Sequence, residues 1–310
     1  TTGELREIHV DSGNKHSNFS LAFVNTEVSL VNMTNSLRKT PNVMAARYKQ
    51  LAQILKKSRM ERKPRAKEDR CANVLLLPEF FIPLGLLSSI TRHAVKNDTL
   101  TITGLEHSVV GKYAYNFIVT ILPFTTGTTQ DAVVVFRLKN HYSHAEGELV
   151  KEEHSVVPKA KPACYDLFNW RNLYFAPYYC FELADVGHRA LFKSKIDLLV
   201  GVEWNRDTPY FSNIVESISR DLHCYVAQVN TSQFGDTRLT QPKETALKNV
   251  LQLKGGENDA VLIAELNIAE IREFQRKAYG DTHKKKKFKP LPPDYEHENV
   301  RKRIRNEHVL

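Results

Sequence analysis

Three polar side chains stand where apolar, strand-like runs of the sequence end. Glu79 follows VLLLP, Lys139 follows AVVVFRL and Cys180 follows LYFAPYY. In α/β sheets, reactive groups collect at the carboxyl ends of strands, where loops open into a crevice. There a thiolate is a nucleophile, a carboxylate can take its proton, and a fixed ammonium can stabilise the oxyanion formed on a carbonyl or nitrile carbon. The three residue types make a workable hydrolytic set, although each alone is more often a loop or core residue.

The elements that would position these residues follow from the hydrophobic pattern. Apolar runs of strand length alternate with helical patterns from about residue 17 to residue 275, without a Pro/Gly-rich linker. Strands are predicted at 19–24, 73–78, 99–104, 113–124, 131–140, 172–181, 195–204, 223–230 and 261–268. Two of these, 113–124 and 131–140, form a hairpin around the polar turn TTGTTQ. The pattern predicts an α/β or α+β layered domain with a mixed sheet.

Helices are expected between the strands, at 84–96 and after two Thr-Pro pairs. In Thr40-Pro41 and Thr208-Pro209, Thr can cap the helix and Pro suits its first position. The helix after Thr40 would place four apolar residues on one face at spacings of three and four: Met44, Tyr48, Leu51 and Leu55. The second helix would end near Leu222.

The composition of the 310 residues, with 42% hydrophobic and 25% charged side chains, is that of a globular chain. Disordered, collagenous and disulfide-stapled classes are excluded. No run of 18 apolar residues predicts a membrane span, and TTGELREIHV at the start lacks the apolar core of a secretory signal. Four widely spaced Cys without a CxxC pair indicate a reduced, cytoplasmic protein. The missing initiator Met suggests a processed chain or a fragment of a longer one.

The net charge of +9 is concentrated in two segments. Residues 56–70 and 283–310 each carry a net +5, so the rest of the chain is close to neutral. The first is expected to be a solvated basic insert. The tail has too little apolar content for a core and could wrap onto another surface. With only Phe288 and Tyr295 as aromatic residues, the two segments should bind nucleic acid weakly at most and without sequence preference.

The segments around the three polar residues resemble the nitrilase (carbon–nitrogen hydrolase) superfamily. The family presents Pro-Glu after its second strand, Lys before a His and a later Gly-Glu, and Cys followed by an aromatic, an acidic and an aliphatic residue. This chain has LLLPEFF, RLKNHYSHAEGE and YYCFEL at the matching places, in that order. Further matches are Asn116, the segment VGVEWN that ends at Asn205, and residues 224–242. The resemblance covers about residues 17–275.

This resemblance implies a four-layer αββα sandwich with mixed sheets and a Glu-Lys-Cys triad. Glu79 would be the general base, Lys139 would stabilise the tetrahedral intermediate, and Cys180 would be the nucleophile. Next to Lys139, the Cys180 thiol is expected to have a lowered pKa, because an ammonium favours the thiolate, although Glu79 opposes this. The backbone N–H of Phe181 would complete the oxyanion hole, and Glu148 would orient the lysine. Glu146, two residues earlier, is also close enough in the sequence for that role. The other pocket residues are Trp204 and Asn205.

The implied reaction is hydrolysis of a non-peptide amide, nitrile or carbamoyl C–N bond through a Cys thioester, with no cofactor and no metal. The expected domain spans residues 17–280, after a lead-in at 1–16 and before a tail at 281–310. Its expected partners are a small-molecule amide or nitrile and a second copy of the chain, paired through the helical face near the Cys; no membrane is expected.

The sequence departs from the family just after the cysteine. Where the family commonly has Arg-Phe-Pro-Glu, this chain has Ala184, Asp185, Val186 and Gly187, so the local support and the substrate contacts must differ. The charged stretch between Lys139 and the Cys180 strand could form a lid. The substrate class is therefore not transferable.

Other interpretations of the same residues remain open. His141 and His144 with Glu146 and Glu148 could imitate a metal site, but only if the segment is helical, and Gly147 argues against a helix. His188 could form a papain-like pair with Cys180, although nothing else supports it. No phosphate-binding glycine loop occurs.

Because a fold does not determine a function, a regulatory or oligomerisation module of a larger protein is the second hypothesis. A nitrilase-like C-terminal domain of a bacterial anti-phage defence reverse transcriptase would fit it, and such a module could have a nucleic-acid-linked partner.

Overall fold

The computed structural model describes residues 3–60 except 12 and 14, 72–277 except 258, and 287–310. The strands are β1 Glu4–Val10, β2 Asn18–Asn25, β3 Ala72–Leu76, β4 Thr99–Gly104, β5 Ser108–Val110, β6 Tyr113–Tyr115, β7 Phe117–Thr126, β8 Thr129–Leu138, β9 Cys164–Trp170, β10 Leu173–Tyr179, β11 Leu198–Val202, β12 Tyr225–Val229, β13 Thr237–Thr240, β14 Asn249–Leu253 and β15 Ala260–Asn267. The α-helices are α1 Leu30–Leu37, α2 Ala45–Met60, α3 Leu87–Asn97, α4 His144–Glu152, α5 Val186–Ala190, α6 Thr208–Asp221, α7 Ile268–Gln275 and α8 His297–Arg305. Short 3₁₀ turns occupy Leu84–Leu86, Cys180–Ala184 and Thr245–Leu247.

Two large mixed sheets carry the fold. One has the strand order β1-β9-β10-β11-β12-β13-β14 and the other has the order β15-β2-β3-β4-β7-β8. Parallel pairs such as β10·β11 and β2·β3 lie next to antiparallel pairs such as β7·β8. The expected hairpin around TTGTTQ is therefore present, with Phe117 opposite Leu138 at its open end.

The two sheets pack face to face, and helices cover both outer faces. Alternation along β2 shows why: Phe19, Leu21 and Phe23 enter the core between the sheets, whereas Ala22 and Val24 face the helices. Helices α2 and α3 cover that outer face, and α6 covers the other sheet. The layers are αββα, as the sequence analysis expected.

The helix after Thr40 does not begin where we expected. Thr40 N–H and the Thr40 hydroxyl donate to Asn35 O, so this residue closes α1, a helix that the sequence did not reveal. Helix α2 begins at Ala45, after the Asn42 side chain accepts from Met44 N–H. Of the expected apolar face, Leu51 and Leu55 are buried, but Met44 and Tyr48 are exposed.

The basic insert is described only in part. Residues 56–60 extend helix α2, and Lys57 Nζ donates to Asp259 O at 2.5 Å. Residues 61–70 lie outside the described residues. The first third of this segment is thus regular helix and not a loop.

Both ends of the chain take part in the domain, which corrects our expectation of a lead-in and a tail. Strand β1 forms the edge of one sheet, parallel to β9. Phe288, Leu291 and Tyr295 belong to the core cluster between the sheets, so neither aromatic ring is free to stack on a base. Among residues 287–310 the apolar content is enough for a core because it is concentrated on one side of the segment.

Buried ion pairs anchor the C-terminal helix. Arg303 of α8 is fully buried and donates to Asp197 Oδ1 and, at 2.8 Å, to Gln275 Oε1. Asp197 also accepts two bonds from Arg272 of α7. A buried carboxylate is tolerated because two guanidinium groups neutralise it. The basic residues of this segment therefore serve contacts within the chain.

Candidate active site

Glu79 lies just beyond the end of β3, where the backbone turns sharply. Phe80, the next residue, has a φ of +57°, a conformation that non-glycine residues seldom adopt. Gly104 at the end of β4 permits the turn, because a Cβ there would lie 2.7 Å from Glu79 Cα. The Glu79 backbone N–H donates to Glu203 O at 3.3 Å, which links the two sheets at this end.

Two carboxylates share the ammonium of Lys139. Lys139 Nζ donates to Glu79 Oε1 at 2.7 Å and to Glu146 Oε2, and all three side chains are buried. Asn116, which precedes β7, donates from one amide nitrogen to Oε1 of Glu79 and to Oε1 of Glu146, each at 3.1 Å. The Glu79 Oε2 atom accepts from Trp204 N–H at 3.2 Å. Every one of these contacts holds a charged group in place.

Aromatic rings surround the ammonium on its remaining sides. Lys139 Nζ lies 5.1 Å from the ring centre of Tyr179, 5.4 Å from that of Tyr142 and 5.6 Å from that of Phe80. The negative faces of such rings attract a cation, and the rings keep water away. This environment favours a lysine that stays charged and immobile.

Cys180 begins the 3₁₀ turn that follows β10 and is half-buried. Its thiolate would interact electrostatically with Lys139 and with three carboxylates: Glu203, Glu79 and Glu146. A second ion pair connects the turn that begins at Cys180 to β8, the strand that precedes Lys139. Arg137 of β8 binds Glu182 through two bonds of 2.8 Å, and Glu182 accepts Asn140 N–H at 2.6 Å and Tyr179 N–H at 2.9 Å.

Glu79 and Glu146 differ in pKa. Burial raises the pKa of Glu79 to about 7, against the opposing charge of Lys139 and with help from the negative charge of Glu146. Burial also disfavours ionised Glu146, but the charge and hydrogen bond of Lys139 together with those of His107 outweigh it and lower the pKa of this carboxyl to about 2. At neutral pH Glu146 is ionised, whereas Glu79 can exchange a proton. Two neighbouring carboxyls with separated pKa values are typical of acid–base sites.

The thiol differs from our expectation. We expected a lowered pKa for Cys180 next to the ammonium, but its pKa is raised well above the usual value, first by burial and then by the charges of Glu203 and Glu79, with Lys139 opposing them. Glu203 is fully buried, and burial raises its pKa to about 7 as well. Glu203 belongs to VGVEWN, and we predicted no role for it from the sequence.

No family model and no curated protein matches this chain, whereas solved structures do. A carbon–nitrogen hydrolase superfamily protein from Xanthomonas campestris is 11% identical, with 88% of this chain and 99% of that chain covered and a TM-score of 0.55. Nit3 from Saccharomyces cerevisiae, a nitrilase superfamily member, is 14% identical over 84% of this chain and 94% of its own, with a TM-score of 0.58. An amidase from Nesterenkonia sp. is 12% identical over 88% and 99%, with a TM-score of 0.55.

The fold is the nitrilase αββα sandwich. At these identities the likeness concerns the fold, and it spans nearly the whole of each similar structure. The geometry described above lies at one end of this nitrilase fold, beyond β3, β8, β10 and β11. Among the described residues, no helix is both long and apolar enough to cross a bilayer.

Within the nitrilase fold, the supporting acid is not the residue we named. Glu148 is exposed and makes no contact with Lys139; Glu146 occupies that place. The segment is helical despite Gly147, and residues two apart on a helix point about 200° away from each other. The sequence contains a signal for where this helix begins, and therefore for which glutamate faces inward. Ser143 and Glu146 match the start of a capping box, and Ser143 Oγ indeed accepts Glu146 N–H at 3.2 Å.

The helical segment also bears on the metal site that we considered there. The expectation that Gly147 prevents a helix is wrong, since α4 spans His144–Glu152. His144 is exposed, however, while Glu146 is buried against Lys139, so the side chains diverge. These residues do not form a common site.

The expected pocket residues lie in different surroundings. Phe181 is 42% exposed next to Cys180, and Trp204 is half-buried with its indole N–H donating to Val28 O at 3.2 Å. Asn205 is buried and serves the backbone, because its side chain accepts from Asp207 N–H at 2.9 Å. Only the first two have apolar surface left for a substrate.

Proposed function

We propose that this chain is a carbon–nitrogen hydrolase that acts on a non-peptide amide, nitrile or carbamoyl group through a thioester on Cys180. The observation that carries the proposal is the buried set of Glu79, Lys139 and Glu146 beside a half-buried thiol. Burying such charged groups adds little to the stability of a fold. A site that must bind a reacting carbonyl gains preorganised charge.

For an amide or carbamoyl substrate the proposed chemistry begins with proton transfer and continues as follows; a nitrile would first give a thioimidate on Cys180, to which one water adds before ammonia leaves and the thioester forms. Cys180 loses its proton to Glu79, and the sulfur attacks the substrate carbon. The Lys139 ammonium and the Phe181 N–H stabilise the negative oxygen of the tetrahedral intermediate. Glu79 returns the proton to the leaving nitrogen, which departs as ammonia or an amine. Glu79 then takes a proton from water, which attacks the thioester. Collapse of this second intermediate releases the acid and the Cys180 thiolate, which recovers its proton from Glu79. Glu146 keeps Lys139 oriented throughout.

A solved structure supports this direction. A mutant of the amidase from Nesterenkonia sp. shows covalent addition of the acetamide moiety of fluoroacetamide at its active-site cysteine. Our chain presents Cys180 at the end of a strand in a fold of the same kind. The substrate class for this chain stays open, because the residues after the cysteine differ from the family pattern.

Ammonia release from a panel of aliphatic and aromatic amides, nitriles and carbamoyl compounds tests the proposal. We expect turnover by the wild type and none by Cys180→Ala, while Cys164→Ala, a thiol away from the site, keeps the activity. Mass spectrometry of the wild type, quenched in acid during turnover, should show an acyl group on Cys180, and Glu79→Gln should show none, because its thiol lacks the base that accepts the proton. Activity that survives in Cys180→Ala refutes the mechanism.

The second candidate is a regulatory or oligomerisation module of a larger protein, such as a bacterial defence protein with a reverse transcriptase. The raised pKa of Cys180 favours it, because burial and the nearby carboxylates oppose the thiolate. A panel without any turnover, together with no labelling of Cys180 by substrate-like nitriles, would favour the module over the enzyme. The cellular partner would then be sought by purification of the full-length natural protein.

A further inference from the structure

A group of imidazoles and a carboxylate lies beside the candidate active site, on the two loops that follow Lys139 and Cys180. His141 Nε2 is 3.2 Å from His188 Nδ1, and Asp185 Oδ2 is 3.2 Å from the same nitrogen. These ligand-type atoms all lie within 4.8 Å of one another. His188 is buried, and the other two residues are half-buried. The proposed hydrolytic mechanism uses none of them.

The orientation of the rings fits a shared ion. The ring centres of His141 and His188 are 5.2 Å apart at an interplanar angle of 18°, while the two nitrogens are separated by only 3.2 Å. The nitrogens therefore lie on the facing edges of the rings. Two nitrogens bound to one tetrahedral zinc ion at about 2.0–2.1 Å each lie about 3.3 Å apart. The observed spacing of 3.2 Å is close to that requirement.

The carboxylate is held ready by the backbone. Asp185 Oδ1 accepts His188 N–H at 2.9 Å and so caps helix α5, which leaves Oδ2 directed at the imidazole nitrogen. Partners of this kind fix the orientation of a metal ligand. Tyr165 adds a buried hydroxyl 3.1 Å from His188 Nδ1. Three polar groups thus converge on one ring nitrogen, which has a single hydrogen-bonding position to offer.

We propose that His141, His188 and Asp185 bind one divalent transition metal ion of the zinc type. Two imidazoles and a carboxylate are a zinc ligand set, whereas calcium and magnesium prefer oxygen ligands only. The ion would tie the loop after Lys139 to the turn after Cys180. Asp185 stands in the stretch where the sequence departs from the family pattern, so the ion would replace local support that this chain lacks.

Metal binding itself is the test, and it does not depend on hydrolase activity. The chain, freed of metal by a chelator, is titrated with Co²⁺ and then with competing Zn²⁺, while visible absorption reports the coordination. We expect one ion per chain with tetrahedral Co²⁺ bands. His141→Ala and Asp185→Asn should weaken binding by more than roughly 100-fold, beyond the loss typical of an outer partner. Asn keeps the helix cap, so Asp185→Asn separates metal binding from folding.

Two control variants sharpen the result. His144→Ala removes an exposed histidine from the neighbouring helix α4, and His308→Ala removes one residue of a second group, formed with Glu7 and His9 near the C-terminus. Both should bind like the wild type. Wild-type protein that takes up no more Co²⁺ or Zn²⁺ than His141→Ala overturns the proposal. Uptake that is lost in His308→Ala but kept in His141→Ala overturns it as well, and assigns the ion to the other group.

Discussion

Substitution of Glu146 by Gln isolates one charge of the candidate active site. Gln keeps the size of the side chain but removes the negative charge next to Lys139 and Glu79. Lys139 retains Glu79 as its partner, so the buried ammonium is not left alone. Glu148→Gln is the matched control, since it lies two residues away on the same helix and is exposed.

The size of the effect follows from the geometry. Both carboxylate oxygens lie 3.1 Å from the Asn116 amide nitrogen, so they are at most about 6 Å apart, where like charges repel by about 3 kcal/mol at an effective dielectric constant of about 20. That energy corresponds to about two pH units in the titration of Glu79. Glu79, with its pKa near 7, should therefore ionise near pH 5 to 6 in Glu146→Gln.

The pH dependence of kcat/KM measures this change. Glu79 must be ionised to accept the thiol proton, so activity falls as the pH drops through its pKa, and a lower pKa moves the acid limb to lower pH. In Glu146→Gln the plateau value of kcat/KM above the acid limb should also fall by roughly 10–100-fold, as for other partners that orient a reactive group. Glu148→Gln should keep the wild-type profile. An acid limb that stays near pH 7 in Glu146→Gln refutes either the charge coupling or the role of Glu79 as the limiting base.

Carboxyl ¹³C NMR of labelled Glu gives the same titration without a substrate. It distinguishes a wrong electrostatic argument from a wrong assignment of the reaction. If the NMR titration moves but the kinetic limb does not, Glu79 is not the base that limits the reaction.

Three further outcomes are expected. Arg303→Met should lower the free energy of unfolding by about 3–5 kcal/mol, because it leaves a buried ion pair incomplete. Calorimetry should show this as a fall in Tm of about 5–8 °C. Arg301→Met, on the exposed face of the same helix, should have little effect, and equal changes in Tm would contradict the anchoring role. Iodoacetamide should alkylate Cys180 slowly at neutral pH, with a rate that still rises above pH 9 because its pKa is raised; a rate that levels off below pH 7 would contradict this. Duplex DNA should bind weakly and dissociate at modest salt, since residues 287–310 are packed into the domain; tight binding at physiological salt would be inconsistent with that packing.

The central strands could be predicted from the sequence because their apolar runs are nearly continuous. Strands β3 and β4 and the β7·β8 hairpin belong to this group, and their ends lie within a few residues of the expected positions. Strand β1 was missed because its few apolar residues do not alternate regularly, Arg6 and Glu7 being adjacent. Local pattern thus predicted every strand of the six-stranded sheet, but in the seven-stranded sheet it missed β1 and β9 on one side and β13 and β14 on the other.

The C-terminal segment could not be predicted from local pattern at all. Arg303 appears as one basic residue among many, and its burial depends on Asp197, which lies 106 residues earlier. The choice between Glu146 and Glu148 depends on the phase of α4, which is set by Ser143 at the helix start. A pairing over a long sequence distance is decided by tertiary structure, whereas the phase of α4 has a local signal in the Ser143 cap.

The charges of the candidate site explain how a thiol with a raised pKa can still be a nucleophile. If Cys180 lost its proton to water, a negative charge would be added to a buried region that already holds Glu79 and Glu146 against one ammonium. Such a charge is costly in a region that excludes water. Transfer of the proton to Glu79 instead leaves the net charge unchanged, and a carboxylate with a pKa near 7 can accept it at neutral pH. A thiolate that forms only in this way is also more nucleophilic than one with a low pKa. The buried position of the cysteine is therefore compatible with catalysis, provided that Glu79 and Cys180 share one proton.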